Sequence, residues 1–520
     1  MDFPDWETPA DAMEYIAVKL FLQSARRIRP DFELVADNLK FVARICRLAG
    51  GMPLGILLAA ALVEMLIPQE IAEEMQRNLD FLATEQKNIP ERQRSMQAVF
   101  DYSWNLLTEK ERDVLRGLSV FRGGLTREAA QQVTGATLRD LMGLVDKSLL
   151  QRAPSGRYQL HELVRQYGEQ KLLKAGKENI IRQCHMEYYL SLTEQSLDKT
   201  IGWIQREWLP RMVTEYDNLR TALGWCWDSE NFKIGLRLAV RLGYFWRQEG
   251  NPLEGRDWLI RFLPRAPQPT PERAWGLYNL AIITYSGGDY ISARPQLEEG
   301  LALFEALDDL SGVADTTVRL ALVDMTLGDY GQSRQFLERG LKLYQDLNKP
   351  SDEAYIIGWI GDLEYVEGNF ARARELIEKS LNLQRGMEDK IRLCYALSDM
   401  GRVLIQFGEL DASEALFREL VSIQQKLGRS QLTNSVLFMD FAFLANARGK
   451  PLRAVRLLGA WDTQSKEIGY HIEGIERPDY DRNLASLRAQ LDESTFEKAW
   501  AEGVALTLEQ AVELALSDEA

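Results

Sequence analysis

SGGDYISA at 286–293, TLGDYGQS at 326–333, VEGNFARA at 366–373 and QFGELDAS at 406–413 repeat one pattern, with turn glycines Gly288, Gly328, Gly368 and Gly408 spaced by 40 residues. Weaker copies flank them at Gly250 (QEGNPLEG) and Gly449 (ARGKPLRA). A fixed period of 20 to 50 residues marks a stacked-repeat architecture. In every copy two small residues stand twelve apart, at Gly243/Gly255, Ala281/Ala293, Ala321/Ser333, Gly361/Ala373, Gly401/Ser413 and Ala442/Ala454. Small side chains let a partner helix cross closely, and a glycine ends a helix cheaply in the left-handed conformation. Each copy therefore reads as a helical hairpin. Bulky residues nine after the glycine, Leu297, Leu337, Ile377, Phe417 and Leu458, are expected to fill the seam between hairpins. Stacking then buries faces that one hairpin cannot cover alone.

The pattern resembles the tetratricopeptide repeat, whose usual period is 34. The six extra residues are expected to lengthen the second helix or its loop, as in LFEALDDLSG and LYQDLNKPSD. Ahead of the repeats, Trp203, Trp208, Trp225, Trp227, Trp246 and Trp258 crowd a helical segment. They suit either a ligand cage or helical packing, and packing explains them with less machinery. After residue 460 the period fades into capping helices, with Ser494 or Thr507 as N-cap candidates.

A chain of 520 residues exceeds one hydrophobic core, and 46% hydrophobic with 27% charged residues is ordinary for folded protein. The net charge of −15 repels phosphate backbones and anionic lipid as a whole. Cys46, Cys184, Cys226 and Cys394 are scattered without close pairs, as expected of reduced thiols in a cytoplasm rather than of a disulfide framework. The acidic start DFPDWETPADAMEY lacks the features of an export signal. Leu48 to Ile67 is apolar enough to raise a membrane span, but a helix started by Pro53 reaches only about 15 residues against the roughly 20 a bilayer needs. A buried helix is the preferred reading.

GGMPLG at 50–55 resembles the GxP motif of STAND signal-transduction ATPases of the NB-ARC type, as in bacterial LuxR-type and antibiotic-regulator-type activators. The resemblance runs on through SARRIRPDF, AVFDYSWNLLTEKERDVLRGLSVFRGG, LHELVRQYGEQKL, LEGRDWL and FEKAWAEGVALTLEQAVELAL, and so covers nearly the whole chain. It implies an all-α architecture: an ARC-like helical segment over 1–88, a winged helix with a small β wing over 89–176, a helical pre-repeat segment over 177–264, repeats over 265–465 and capping helices over 466–520. It also implies that Pro53 packs on an adenine ring, that Gly51 admits the backbone close to it, and that His161, in the position of the family's MHD-like histidine, touches the β-phosphate of ADP. Leu160 stands where the family has methionine, a swap that nearly keeps volume. The chain departs from the family in lacking any GxxxxGK[S/T] loop to cradle a triphosphate. The resemblance then implies a truncated chain, a split gene product or a remnant, with no cofactor of its own and ADP or ATP bound only when an upstream NTPase domain is supplied.

Within the winged-helix segment, strands are expected around Leu149-Leu150 and Tyr158-Leu160, turned by Pro154-Ser155-Gly156. From Arg92 to Gln170, 12 Lys or Arg face 9 Asp or Glu, so this segment is mildly basic. Arg139 and Lys147 are the only basic residues of the expected recognition helix, which makes DNA the less favoured partner. Catalytic patterns are thin: His161, His185 and His471 match no metal spacing, and Cys184 and His185 are helical neighbours that point apart. No enzyme activity is expected. The favoured function is a regulatory sensor that binds a protein, a peptide or a small-molecule inducer in a groove lined by Trp275, Tyr278, Tyr285, Tyr355, Asp362, Tyr365, Tyr395 and Arg402, and relays occupancy through the winged helix. A DNA-contacting regulator and a residual ADP-binding switch are the alternatives; no membrane partner is expected.

Overall fold

The computed structural model describes residues 15–77, 96–197, 199, 204–248, 251–427, 431–468, 472 and 476–517. The turn at Gly250, Trp203 and the acidic start through residue 14 lie outside the described residues. Among the described residues the fold is all-α apart from one two-stranded sheet, and the chain divides into two compact units: 1–192 with 214–225, and 193–213 with 226–520.

The first unit opens with α1 (Ile16–Ile28), α2 (Ala36–Leu48), α3 (Pro53–Ala61) and α4 (Pro68–Arg77). Pro53 starts α3, where its missing N–H costs nothing. The helix ends after 9 residues in a 3-10 turn, with Ile56, Leu58, Ala59 and Ala60 buried. Among the described residues no helix is long and apolar enough to cross a membrane. Next come α5 (Met96–Asn105), α6 (Glu109–Leu118), α7 (Arg127–Thr134) and α8 (Leu138–Asp146). The hydroxyls of Thr108, Thr126 and Thr137 cap the last three by accepting from the N–H groups of Glu111, Ala129 and Asp140. A hairpin of β1 (Gln151–Arg152) and β2 (Tyr158–Gln159) follows, with Leu125 bridging to Tyr158. β1 starts two residues later than the sequence suggests. Ser148, at φ 57, turns Leu149 and Leu150 into the core before the chain emerges as a strand.

The unit closes with α9 (Glu162–Lys174), α10 (Glu178–Glu194) and the middle of α11 (Leu209–Asp228). Asn218 on α11 accepts from the Arg122 N–H at 2.8 Å and donates to the Gly124 carbonyl at 2.9 Å. Glu215 takes an ion pair from Arg157 and a 3.0 Å hydrogen bond from the Tyr189 hydroxyl. These long-range bonds carry 214–225 into the first unit, and the stretch 177–264 contributes helices to both units.

The second unit is a run of antiparallel hairpins. They are α12 (Phe232–Gln248) with α13 (Pro252–Phe262), α14 (Pro271–Ser286) with α15 (Tyr290–Ala306), α16 (Leu310–Leu327) with α17 (Tyr330–Asp346), and α18 (Pro350–Val366) with α19 (Phe370–Arg385). Then come α20 (Lys390–Gln406) with α21 (Leu410–Leu427) and α22 (Gln431–Ala447) with α23 (Pro451–Ile468). Gly288, Gly328, Gly368, Gly408 and Gly449 all have φ between 70 and 85°, the left-handed turn the repeat required. At Gly328 the closure is a Schellman motif: its N–H donates to Met325 O at 3.2 Å and the Asp329 N–H to Asp324 O at 2.8 Å. Two of the small-residue pairs bond directly across the crossing, Ser333 Oγ to Ala321 O at 2.8 Å and Ser413 Oγ to Gly401 O at 2.9 Å.

The bulky residues reach both ways. A Cβ on Gly361 would lie 2.6 Å from Ile377 and one on Gly401 2.1 Å from Phe417, so these two fill the small position of their own hairpin, while Phe417 also packs on Phe441 of the next hairpin at 5.5 Å, in the expected seam. Two of the tryptophans, Trp208 and Trp246, are buried, while Trp227 and Trp258 pack on Phe262 at 5.8 and 5.6 Å, which is packing rather than a cage. The C-terminal helices are α24 (Arg477–Gln490), α25 (Glu493–Val504) and α26 (Leu508–Leu516). Thr507 caps α26, but Asp492, not Ser494, caps α25, because its carboxylate accepts from the Thr495 N–H.

Candidate functional site

Counted from the small residue of each first helix, the positions six before, three before, one after and four after lie on one helical stripe, because they follow i, i+3, i+7 and i+10 spacing. The groove residues named from sequence all fall there: Trp275, Tyr278 and Tyr285 on α14, Tyr355, Asp362 and Tyr365 on α18, and Tyr395 and Arg402 on α20. Repeat stacking lines up these stripes, with α16 contributing Asp315, Val318, Leu322 and Met325 between them.

The residues along it differ in environment. Trp275 packs edge-on against Tyr278 at 5.3 Å and Phe304 at 4.9 Å, so part of its surface belongs to the core. The Tyr285 hydroxyl hydrogen-bonds Thr326 Oγ1 at 3.0 Å. Tyr355 lies under the Arg392 guanidinium at 4.6 Å, and Arg392 pairs with Asp352 at 2.7 Å. Tyr395 is 37% exposed, the most open of the eight. Tyr344 donates to Asp315; burial raises that carboxyl's pKa, and the hydroxyl's hydrogen bond opposes the rise.

The strongest electrostatic feature centres on Arg402. It pairs with Asp399 at 2.5 Å and lies 3.8 Å from both Asp440 and Glu476. Burial disfavours its charge, yet Asp399, Asp440, Glu476 and Asp362 together hold the guanidinium well above its ordinary pKa. Burial pushes Asp440 up to about 8 against the pull of Arg402 and a 2.5 Å hydrogen bond from the Ser398 hydroxyl. Tyr365 donates to Asp479 at 2.7 Å and accepts from Gln406 at 2.9 Å. Glu476 and Asp479 stand at the start of α24. Tyr365 and Arg402, expected to capture a ligand, are therefore engaged by the chain's own C-terminal part. Asp399 and Asp440 escaped the sequence reading because they lie off the stripe and meet Arg402 only once the repeats stack.

Because the Asp440 pKa is raised in the fold, the native state holds a proton that the unfolded chain has released between about pH 4 and 8. Stability of the second unit is expected to fall as pH rises through that window, and Asp440→Asn to flatten the slope. The first unit should behave oppositely. Burial lowers His161 to about 4 and His185 to about 3, so the unfolded chain binds more protons below about pH 6.5 and acid destabilises this unit. Denaturant melts of Asp440→Asn and the unaltered chain at pH 5 and 8, with a tryptophan reporter in each unit, check both signs.

In the first unit the GGMP turn and His161 come together. Gly50 and Gly51 have φ of 54 and 66°, and a Cβ on Gly50 would fall 1.3 Å from His161 Nε2. His161 is the N-cap of α9, its Nδ1 accepting from the Leu163 N–H at 3.3 Å, which aims Nε2 at the turn. Gly51 is buried and Pro53 exposed on the same turn. Replacing Gly50 by alanine should cost about 1–3 kcal/mol through the clash and the left-handed strain. In the Gly50→Ala, His161→Ala double variant most of that cost should vanish, a coupling readable from thermal melts.

No family model matches the chain. Over 268 residues it is 33% identical to a Mycobacterium bovis protein bearing the provisional name HTH-type transcriptional regulator, a stretch that is 50% of this chain and 30% of that protein. It is 34% identical over 189 residues to an uncharacterized Mycobacterium bovis protein, covering 34% of this chain and 48% of the relative. The chain thus spans about a third to a half of the length of these curated relatives. Among solved structures, a STAND protein with a tetratricopeptide repeat sensor from Pyrococcus horikoshii aligns over 96% of this chain and 74% of its own, with 12% identity and a TM-score of 0.46.

Proposed function

We propose that the chain is a non-catalytic regulatory part of a STAND-type signal-transduction ATPase, whose repeat stripe captures a protein or peptide and whose first unit, with a winged-helix module, passes occupancy to a nucleotide-holding domain. The observation that carries this reading is the stripe itself. Aromatic and charged side chains align over consecutive helices, and Tyr395 stays 37% exposed among them, which suits the recognition of an extended ligand. The name of the Mycobacterium bovis relative supports a regulatory setting. A peptide array probed with the full 520-residue chain tests it. Bound peptides should be lost on Trp275→Ala with Tyr395→Ala and retained on Arg372→Ala, an exposed residue of α19. Binding that ignores the stripe, or no binding, overturns the reading.

A second reading has its own observation. The meeting of Gly50, Gly51 and His161 forms one wall against which ADP could seat, with Pro53 beside it, and titration calorimetry of ADP into the chain joined to its ATPase domain tests it. Direct DNA contact has less support: Lys147, one of two basic residues on the expected recognition helix, is spent on Glu111 at 2.6 Å. A gel shift with the full chain at two salt concentrations checks this.

A further inference from the structure

Part of the stripe is covered by the chain itself. Tyr365 on α18 donates to Asp479 at 2.7 Å, and Arg402 on α20 lies 3.8 Å from Glu476. Asn446 on α22, the equivalent of Tyr365 two hairpins on, donates to Asn483 at 2.8 Å and accepts from Gln490 at 2.9 Å. Tyr290 at the start of α15 donates to the Ile472 carbonyl at 3.1 Å. Ile472 and α24 together thus lie across successive hairpins of the second unit, with most of these bonds made by side chains.

Two features set α24 apart from the helices it covers. Its apolar anchorage is small: Tyr480, on Trp461 at 5.4 Å, and Leu487 are buried, Leu484 is half-buried, and most of the remaining residues are exposed. Its acids do the opposite. Glu476 and Asp479 are both buried, and standing three positions apart they share one face, which is turned to the stripe. Glu476 occupies the N-cap of α24, yet no side-chain bond caps the helix there, and its carboxylate reaches across to Arg402 instead. Asp479 pairs with Arg482 of its own helix at 3.0 Å as well as accepting from Tyr365. Polar bonds of this kind hold a segment with little net stability, because an equal bond from another molecule replaces each of them.

Resting on the reading of the stripe as a peptide site, we propose that α24 is the chain's own occupant of that site, and that the partner is a peptide carrying two carboxylates three positions apart on a helical turn, which displaces α24 by taking over Tyr365 and Arg402. A tethered occupant competes at high effective concentration, so a free ligand sees only the fraction of chains in which α24 is away. Weakening α24 at Glu476 and Asp479 therefore strengthens binding of an outside peptide. Loss of a merely structural contact would weaken it or leave it unchanged.

The test uses a dye-labelled, C-terminally amidated synthetic peptide of residues 476–490 with the full chain. By fluorescence anisotropy it should bind the Glu476→Gln, Asp479→Asn chain at least tenfold tighter than the unaltered chain. A peptide bearing the same two substitutions should show no such gain, and Tyr365→Phe added to the variant chain should remove most of it. On the unaltered chain, saturating peptide should raise amide exchange in α24 while α18 and α20 stay protected. Equal affinity for both chains, or a gain shared by the substituted peptide, overturns the proposal. So does exchange in α24 that stays as slow with saturating peptide as without it, a measurement that needs no variant to fold. The stripe reading fails separately: array peptides lost on Trp275→Ala with Tyr395→Ala keep it standing even where α24 never yields, whereas no binding of any peptide to either chain overturns both.

Discussion

Arg402→Met should lower the stability of the second unit by about 3–5 kcal/mol at pH 7.5, the cost of removing the cation from a buried charge cluster. Asp399 and Glu476 face this guanidinium beside an Asp440 that holds its proton at this pH, so its removal leaves their buried charge less compensated in a desolvated site. Methionine keeps much of the volume, which separates the electrostatic loss from a cavity. The deficit should narrow at pH 5, because burial raises the Asp399 carboxyl as well, and as it takes up a proton it no longer needs a partner. Urea unfolding followed by tryptophan fluorescence at the two pH values measures both. A deficit under 1 kcal/mol, or one that grows on acidification, would show that the cluster is not held by Arg402. The same experiment bears on the contact between α24 and the stripe. Losing the Arg402–Glu476 pair should raise amide exchange at the start of α24 before the repeats open.

Gly503→Ala is the second large effect. An added Cβ would stand 2.0 Å from the carbonyl oxygen of Arg456, and one on Gly459 across the crossing would stand 2.4 Å from the carbonyl oxygen of Trp500. The obstacles are backbone, which cannot swing aside, so α23 and α25 must separate. Alanine recovers up to about 1 kcal/mol of helix propensity over glycine. Overpacking at a backbone contact costs about 3 kcal/mol. The clash wins, with a net loss of about 2 kcal/mol. Thermal melts of Gly503→Ala, with Gly224→Ala as a helical glycine facing open space, decide it: the control should gain slightly and Gly503→Ala should lose. Parity between the two would refute the close crossing.

The hairpin architecture was legible because glycine chemistry is local. A left-handed residue is needed wherever one helix stops and the next reverses, and Gly288, Gly328, Gly368, Gly408 and Gly449 announce it every forty residues or so. Small residues twelve apart gave the crossing points, and Ser413 bonding to Gly401 is that arithmetic made physical. Helix spacing also places Trp275 through Arg402 on one face by periodicity alone. The seam was legible as well, since Phe417 packs on Phe441 of the next hairpin, but spacing along a helix did not tell that Ile377 and Phe417 also fill the small positions of their own hairpins.

What could not be read is everything that depends on contacts between distant repeats. Arg294 with Asp324, Arg334 with Glu364 and Arg374 with Glu409 form ion pairs between successive hairpins, and each residue alone looks like ordinary surface charge. The joining of Gly50 to His161 spans more than a hundred residues, as does the bond from Tyr365 to Asp479. Residue order alone dictated the helices, their turns and the stripe, because these follow from short-range sterics and periodicity. Stacking decided which stripe positions stay open and which are covered by α24, because burial and charge pairing arise only when remote segments share one desolvated space.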